Sequence, residues 1–264
     1  LAGATSLSDC KKRMIHDSLS ASTAWAAAGY DWSSFICQFV PASTAELKGA
    51  LAAWDADASA AAVTYNPVAT WAVTAVTSFY ELLRDLSTFE EDLSAWDTSG
   101  VTMMNSMLRN TGAFNQPLSF DIGRVESLSS MFNTAGAFNA PLEFDAGSVT
   151  SMGSMFNLAG VFNAPLSFSS TGSLTTTGSM FNCAGAFNQP LALDTSSVTY
   201  MAQMFREACA SGSDFDQPLA FDVSSVAAMT SMFDGATSLS DCNKRADRKS
   251  TRLNSSPPSR SRMP

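Results

Sequence analysis

The stretch AFNAPLEFDAGSVTSMGSMFNLAG, residues 137–160, decides the fold, because variants of it recur along most of the chain. It follows AFNQPLSFDIGRVESLSSMFNTAG and precedes VFNAPLSFSSTGSLTTTGSMFNCAG and AFNQPLALDTSSVTYMAQMFREAC. The Met-Phe pairs that mark the units, with Met-Leu in the first, lie 24, 24, 25, 24 and 28 residues apart. Such a period is typical of repeats that stack on one another, because one unit has too few apolar residues for a core of its own.

Each unit changes its hydrophobic period halfway along. Leu142 and Phe144 alternate with polar residues, which predicts a short strand with one inward face. The segment VTSMGSM that follows, residues 149–155, has its apolar residues at helical spacing. We therefore expect an α/β repeat solenoid with short parallel strands and short helices. It would have about six to seven coils of 24–28 residues over residues 71–246.

Residues 41–70 precede the repeats and predict a helical N-terminal cap, which a stack of repeats needs to cover its raw end. Ser43 and Glu46 have the spacing of a capping box. Four apolar residues then follow on one predicted helix face: Leu47, Leu51, Trp54 and Ala58.

The two ends of the chain carry related segments. Residues 1–13, LAGATSLSDCKKR, match residues 233–245 at ten of thirteen positions, so we expect residues 1–38 to end a preceding array in a longer parent protein. The run DRKSTRLNSS, residues 247–256, looks like a translated sequencing adapter. We therefore interpret residues 247–264 as an adapter-derived disordered tail. The alternative is a native basic tail that binds anionic partners.

Composition excludes several functional classes. A net charge of −9 argues against a nucleic-acid binder, which needs a basic face. No apolar run reaches the ~20 residues of a membrane span. His16 is the one histidine in the chain, which removes most zinc sites and most histidine-dependent mechanisms. Phosphate-binding glycine loops are also missing from the sequence. We expect no catalytic activity, no cofactor and no metal.

Recurrent polar columns are the remaining candidates for a site. An acidic column could bind calcium, but we favour carboxylates that close turns with their own backbone. Similarly, a threonine column could bind a regular surface, but we favour helix capping. The asparagine column predicts a structural ladder, and the methionine stripe predicts core packing. The acidic column is Asp97, Asp121, Asp145, Asp194 and Asp222, the threonines are Thr102, Thr150, Thr175 and Thr199, and the asparagines are Asn115, Asn139, Asn163 and Asn188.

Five cysteines do not make a disulfide framework in a chain of this length. Cys10 could pair with Cys37 in an oxidising compartment. Cys183 and Cys209 occupy non-equivalent places in adjacent units, so we expect small buried side chains there.

The motif FNQPLSFD…V…M…MF, with AWDTSGVT at residues 95–102, resembles the BspA-like leucine-rich-repeat surface proteins. Their repeat of roughly 25 residues also occurs in mycoplasma surface lipoproteins. The resemblance implies a right-handed, leucine-rich-repeat-like coil and an extracellular or cell-surface location. Some members of that family are adhesins. The chain departs from the family at Phe120, where Trp is usual before the Asp.

These observations favour a non-enzymatic interaction module that binds a protein ligand through one face of the solenoid. The alternative is a structural or carbohydrate-binding component of an extracellular coat. Outward aromatic rings would favour sugar binding, and Tyr200 is the rare aromatic residue outside the inward repeat columns. The sequence assigns no ligand-binding residue.

Overall fold

The computed structural model describes residues 38–207, 209, 212 and 214–240, together with Leu19. The predictions made above for His16, Cys10 and Cys37 lie outside the described residues, as does the segment interpreted as an adapter-derived tail. So does almost all of the segment assigned to a preceding array. Among the helices of the described ranges, none combines the length and hydropathy that crossing a bilayer requires.

Two consecutive helices precede the repeats, α1 at Thr44–Ala56 and α2 at Ala58–Tyr65. Ser43 begins α1 by accepting the N–H of Glu46 at 3.2 Å, and the Glu46 carboxylate accepts the N–H of Ala42 at 2.8 Å. This arrangement is close to the predicted capping box, in which the acid would instead reach the N–H of the cap residue. Asp57 ends α1 and caps α2 through its own carboxylate.

The sequence predicts four apolar residues on the buried face of α1, but the structure places only three of them there. Leu47, Leu51 and Trp54 are buried, but Ala58 is exposed because it begins α2 after the chain turns at Asp57. The buried face lies against the first repeat, where the rings of Trp54 and Trp71 meet edge to face at 6.1 Å.

One pair of regular strands lies in the repeats. β1, Leu142–Asp145, pairs in parallel with β2, Leu166–Ser169, and each residue of β1 faces the residue 24 positions later. Leu142 and Phe144 point inward, as their alternation predicts. The corresponding segments of the other described repeats are extended without being paired as strands. A 3₁₀ turn, Thr171–Ser173, follows β2.

A second line of parallel contacts runs through seven repeats at one equivalent position, with a gap between Met103 and Ser127. These contacts are single bridges rather than strands, and they join residues 24 to 28 positions apart. Successive units are therefore hydrogen-bonded in register over most of this line. The bridges are Ser78↔Met103, Ser127↔Ser151, Ser151↔Thr176, Thr176↔Tyr200 and Tyr200↔Ala228.

The short helices expected inside the repeats are wrong for the part of the chain that the structure describes. The N–H of Met155 bonds within its own unit, to the carbonyl of Met152, whereas Ser154 donates to Gly178 in the next unit. The alternation arises because Ser154 is left-handed, with a φ of 56°, which turns its N–H away from its own repeat. Tight turns with i→i−3 bonds therefore produce the helix-like spacing of the apolar residues. Equivalent left-handed residues are Ser106, Ser130, Ser179 and Gln203.

Two columns of stacked phenylalanine rings form much of the core. Within a column, rings of successive repeats lie 5.2–6.3 Å apart, and in most repeats rings of the two columns meet at 4.0–4.3 Å. Offset stacking at these separations is favourable beyond the burial of area alone. One column is Phe89, Phe114, Phe138, Phe162, Phe187 and Phe215, and the other is Phe132, Phe156, Phe181, Phe205 and Phe233.

Candidate functional site: an uncharged face along the parallel bridges

The bridge positions and the residues two places beyond them form one surface, which we call the bridge face. In the central repeat Ser151 and Gly153 belong to it, because the buried Met152 between them points into the core. An inward residue separates the two positions in the same way in each neighbouring unit, although Gly178 and Ala202 are themselves buried. The bridge face consists of Ser78, Tyr80, Met103, Asn105, Ser127, Ser129, Ser151, Gly153, Thr176, Gly178, Tyr200, Ala202, Ala228 and Thr230.

No residue of the bridge face is charged, in a chain whose net charge is −9. Its three large side chains, Tyr80, Met103 and Tyr200, are 47%, 48% and 48% exposed. Met103 and Tyr200 lie four repeats apart, which corresponds to roughly 19 Å at a strand spacing of ~4.8 Å. The residues between them are small, so the two ends rise above a shallow floor.

Side-chain hydrogen bonds order part of this floor. The Asn105 amide donates to the Ser127 hydroxyl at 2.9 Å, and Ser127 donates to Ser129 at 3.0 Å. The hydroxyls of Ser129 and Ser151 are 2.6 Å apart. The chain of polar groups crosses three repeats and presents hydroxyl groups at fixed positions, which lowers the entropy lost when a ligand binds to them.

The ring of Tyr200 lies against Gly178 of the preceding repeat. A Cβ atom added to Gly178 would lie 2.3 Å from Cε1 of Tyr200, so only glycine allows the ring to take this place. At the other end, the ammonium group of Lys48 lies 5.6 Å from the centre of the Tyr80 ring. That distance is within the range of a cation–π contact.

The acidic column lies elsewhere, and four of its five carboxylates close turns, including Asp121, which accepts the N–H of Gly123 at 2.9 Å. Asp145 instead accepts the hydroxyl of Ser169 in the next repeat at 3.3 Å. Asp97 and Asp194 each accept the N–H and the hydroxyl of the serine two residues later, at 2.6–3.0 Å. Asp222 accepts the N–H of Ser224 at 2.9 Å. These hydrogen bonds from Ser99, Ser196 and Ser224 hold the pKa values of the three carboxyls below their ordinary range. The turn-closing interpretation is confirmed for these residues.

The threonine column does not cap helices, and that prediction is wrong. Each hydroxyl donates to a main-chain carbonyl of the preceding repeat, as Thr175 does to Thr150 at 2.9 Å. The reason is that no helix follows these residues in the structure, so there are no free helical N–H groups to donate to the threonine oxygens. The other donors are Thr102, Thr150 and Thr199.

The asparagine column forms the predicted ladder. The side-chain oxygen of Asn139 accepts the N–H of Asn163 at 2.7 Å, and Asn163 accepts the N–H of Asn188 at 2.9 Å. Asp216 continues the pattern by donating its N–H to Asn188 and accepting that of Ser240. The methionine stripe packs in the core as predicted, with Met229 only partly buried.

Cys183 and Cys209 form a disulfide, so the expectation of two separate thiols is wrong. Their Cα atoms are 5.6 Å apart. The repeat alignment placed Cys209 out of register with Cys183. However, the disulfide shows that Cys209 lies beside Cys183 in spite of that offset.

Sequence reasoning noted Tyr200 as outward but missed Tyr80 and Met103. The signal was available, since both residues flank an inward column residue, Phe79 or Met104, in the same way that Tyr200 precedes Met201. The adjacent Met103-Met104 pair concealed it, because only Met104 belongs to the buried stripe.

A family model described as "Mycoplasma protein of unknown function, DUF285" matches residues 53–166, 118–210 and 170–254. The chain belongs to this family. Together the overlapping matches cover residues 53–254, which include all of the repeats assigned above to residues 71–246. The third match extends beyond residue 247, where the tail was expected to begin. No curated protein and no solved structure matches the chain.

Proposed function

We propose that this DUF285 protein is a non-enzymatic interaction module that binds a protein ligand through its bridge face. The observation that carries the proposal is the contrast between an acidic chain and a surface with no charged residue, bearing exposed Tyr80, Met103 and Tyr200. Protein-binding surfaces are enriched in Tyr and Met and depleted of charge at their centres. Tyr, Ser, Gly and Asn also dominate antibody paratopes, where aromatic anchors stand among adaptable polar groups.

The proposal includes a fold and a location. We propose that the repeats wind into a right-handed, leucine-rich-repeat-like solenoid related to the BspA-like surface proteins. The parallel bridges at a 24–28-residue spacing and the stacked rings support this fold. The disulfide between Cys183 and Cys209 supports an extracellular or cell-surface location, because disulfides persist in oxidising compartments. An adhesive role fits both proposals.

Carbohydrate binding in an extracellular coat is the second candidate. Its support is the hydroxyl chain through Ser127, Ser129 and Ser151, with the Tyr200 ring lying beside it on the same face. A sugar ring would stack on the tyrosine and exchange hydrogen bonds with the serines. The length of the face favours protein, since roughly 19 Å between Met103 and Tyr200 exceeds one or two sugar rings.

Parallel binding to protein and glycan arrays tests the two candidates. We expect reproducible protein ligands, and a loss of binding of about tenfold or more when Tyr200→Ala removes an interface anchor. Val161→Ala is the matched control, because Val161 is also 47% exposed but lies outside the bridge face. It should leave binding unchanged.

Glycan binding without protein binding would replace the first candidate with the second. Equal losses of binding affinity in Tyr200→Ala and Val161→Ala would show that the bridge face binds neither the protein nor the glycan. Melting temperatures of both variants must stay close to that of the unsubstituted protein for the comparison to hold.

A further inference from the structure

A groove of about 500 Å³ opens on a different surface, beside β2. Its walls include Phe168 at the end of β2, Leu191 and Leu193 from the following repeat, and Phe221 from the one after. This size is within the range of ligand-binding clefts. The groove is lined by segments equivalent to β1 and β2 and shares no residue with the bridge face.

One departure from the repeat pattern distinguishes the groove. Leu193 occupies a position that holds Phe120, Phe144, Phe168 and Phe221 in other repeats, so a smaller side chain fills the same space. As at the other described repeats outside the β1–β2 pair, no backbone hydrogen bond joins β2 to residues 191–194. Instead the N–H of Asp194 donates to the hydroxyl of Thr171 at 2.7 Å.

The groove combines an apolar wall with an unbalanced negative charge. Asp194 lines it, and the Asp222 carboxylate of the next repeat is close enough for the two to repel each other. No basic residue lines the groove. Within the described part of the chain the ion pairs are those of Arg84, with Glu81 and Asp85, far from this surface in the sequence.

We propose that this groove binds a basic, extended segment of a protein partner. The aliphatic stem of an arginine or lysine covers Phe168 and Leu193, and its charged end reaches Asp194. Asp194 retains acceptor capacity for this contact, because Ser196 approaches only its Oδ1 atom. An acidic segment would be repelled by the same carboxylate. The site does not depend on the bridge face, and either one can fail without the other.

Fluorescence anisotropy with a labelled peptide of alternating Arg and Ser tests the proposal at physiological ionic strength. A peptide of alternating Glu and Ser and the free polyamine spermine are the comparison probes. We expect the Arg peptide to bind and the Glu peptide not to bind. Spermine should bind more weakly than the Arg peptide, because it carries no main chain to hold in the groove.

Three variants locate the binding. Asp194→Asn removes the charge but keeps an oxygen for both Ser196 bonds, and it should weaken binding about tenfold. Asp97→Asn is its matched control, because Asp97 accepts the same two bonds from Ser99 away from the groove. That variant should bind as the unsubstituted protein does. Leu193→Phe should fill the groove and abolish binding without lowering the melting temperature.

Equal losses in Asp194→Asn and Asp97→Asn would overturn the proposal, because they would indicate diffuse attraction between acidic protein and basic peptide. Unchanged binding by Leu193→Phe would overturn it as well. Spermine binding as tight as that of the Arg peptide would exclude a polypeptide segment as the occupant. Tyr200→Ala should not affect the Arg peptide, which separates this result from the test of the bridge face.

Discussion

The central repeats and the repeat with the insertion stack their phenylalanine rings at nearly the same distance, although different lengths of chain separate the rings. Phe156 and Phe162 are six residues apart and their rings lie at 4.2 Å. Phe205 and Phe215 are ten residues apart, yet their rings lie at 4.3 Å. The insertion is therefore absorbed outside the ring columns, and the stack continues to Phe233.

The residues between the rings differ much more. In a central repeat Leu158, two places after Phe156, is left-handed and exposed. Glu207 has the equivalent place in the insertion repeat but is 6% exposed, and its N–H still donates to the carbonyl of Asp234 at 2.7 Å. The comparison teaches that the rings and the cross-repeat hydrogen bonds define the register, while the loop between them is free to carry other chemistry.

The largest expected effect comes from breaking a central repeat. Met155 is fully buried, and Met155→Asp would place an unpaired charge in the core at a cost of about 4 kcal/mol or more. We expect the whole stack to unfold together, with circular dichroism and tryptophan fluorescence changing at one midpoint. Because Trp54, Trp71 and Trp96 lie N-terminal to the substitution, a change in circular dichroism alone would show that the repeats do not fold as one unit.

Removing the disulfide tests the insertion repeat. Cys183 and Cys209 are 26 residues apart, and closing a loop of that length stabilises a folded chain by about 3 kcal/mol in the chain-entropy view. The double variant Cys183→Ala, Cys209→Ala should lower the free energy of unfolding by that order in urea titrations. The reduced unsubstituted protein is the control and should fall by a similar amount. An unchanged midpoint in both would mean that the insertion is held by other contacts.

A stabilising substitution in a central repeat tests the effect of a buried hydroxyl group without a partner. Thr177 stands where other repeats have Met, Leu or Phe, and its buried hydroxyl has no hydrogen-bond partner. Thr177→Val should therefore raise the free energy of unfolding by about 1 kcal/mol. Thr111→Val is the matched control, since the buried Thr111 hydroxyl donates to Leu108 at 2.9 Å. It should destabilise, and equal signs for the two would contradict the stated role of the hydroxyls.

The smallest effect is a pH dependence between about pH 4.5 and 7 that arises from Glu207 in the insertion repeat. Burial, and then the nearby Asp214 carboxylate, raise the pKa of Glu207 to about 7. The folded state therefore holds the proton more tightly than the unfolded state. The Glu207 contribution to stability is complete below the unfolded pKa near 4.5 and is lost as pH rises through about 7.

Melting temperatures of the unsubstituted protein and of Glu207→Gln across that interval measure the effect. The variant should show a flatter profile between pH 4.5 and 7. Asp97→Asn should keep the slope of the unsubstituted protein in this interval, because hydrogen bonds from Ser99 hold the pKa of Asp97 below its ordinary value of 3.8. Parallel profiles for all three proteins would show that Glu207 does not titrate in this range.

Much of the repeat architecture can be predicted from the sequence, because the period is short and most equivalent positions hold the same residue type or a similar one. The spacing of Phe138, Phe162 and Phe187 is enough to predict stacking, and the Asn ladder follows from the neighbouring residue. The turns could not be predicted in the same way. Apolar residues three apart fit an α-helix and a chain of i→i−3 turns equally well, and only the left-handed φ of residues such as Ser154 distinguishes them.

The candidate sites also divide into those that the sequence can predict and those that it cannot. The inward columns identify which residues face outward, so the bridge face is implicit in the pattern of Met152 and its neighbours. The disulfide could not be predicted from the repeat pattern, because that pattern does not determine the path of the chain in an insertion. The groove beside β2 depends on a single departure, Leu193 in a phenylalanine column, whose effect on volume requires coordinates.

The most direct test of the bridge face places the same bulky residue on two surfaces. Ser151 is bridged on both sides at the centre of the bridge face, and Ser167 is an exposed serine of β2 on the other parallel surface. Affinity for the protein ligand found on the array should be lost in Ser151→Trp and kept in Ser167→Trp, at similar melting temperatures. Binding that survives Ser151→Trp would contradict the account.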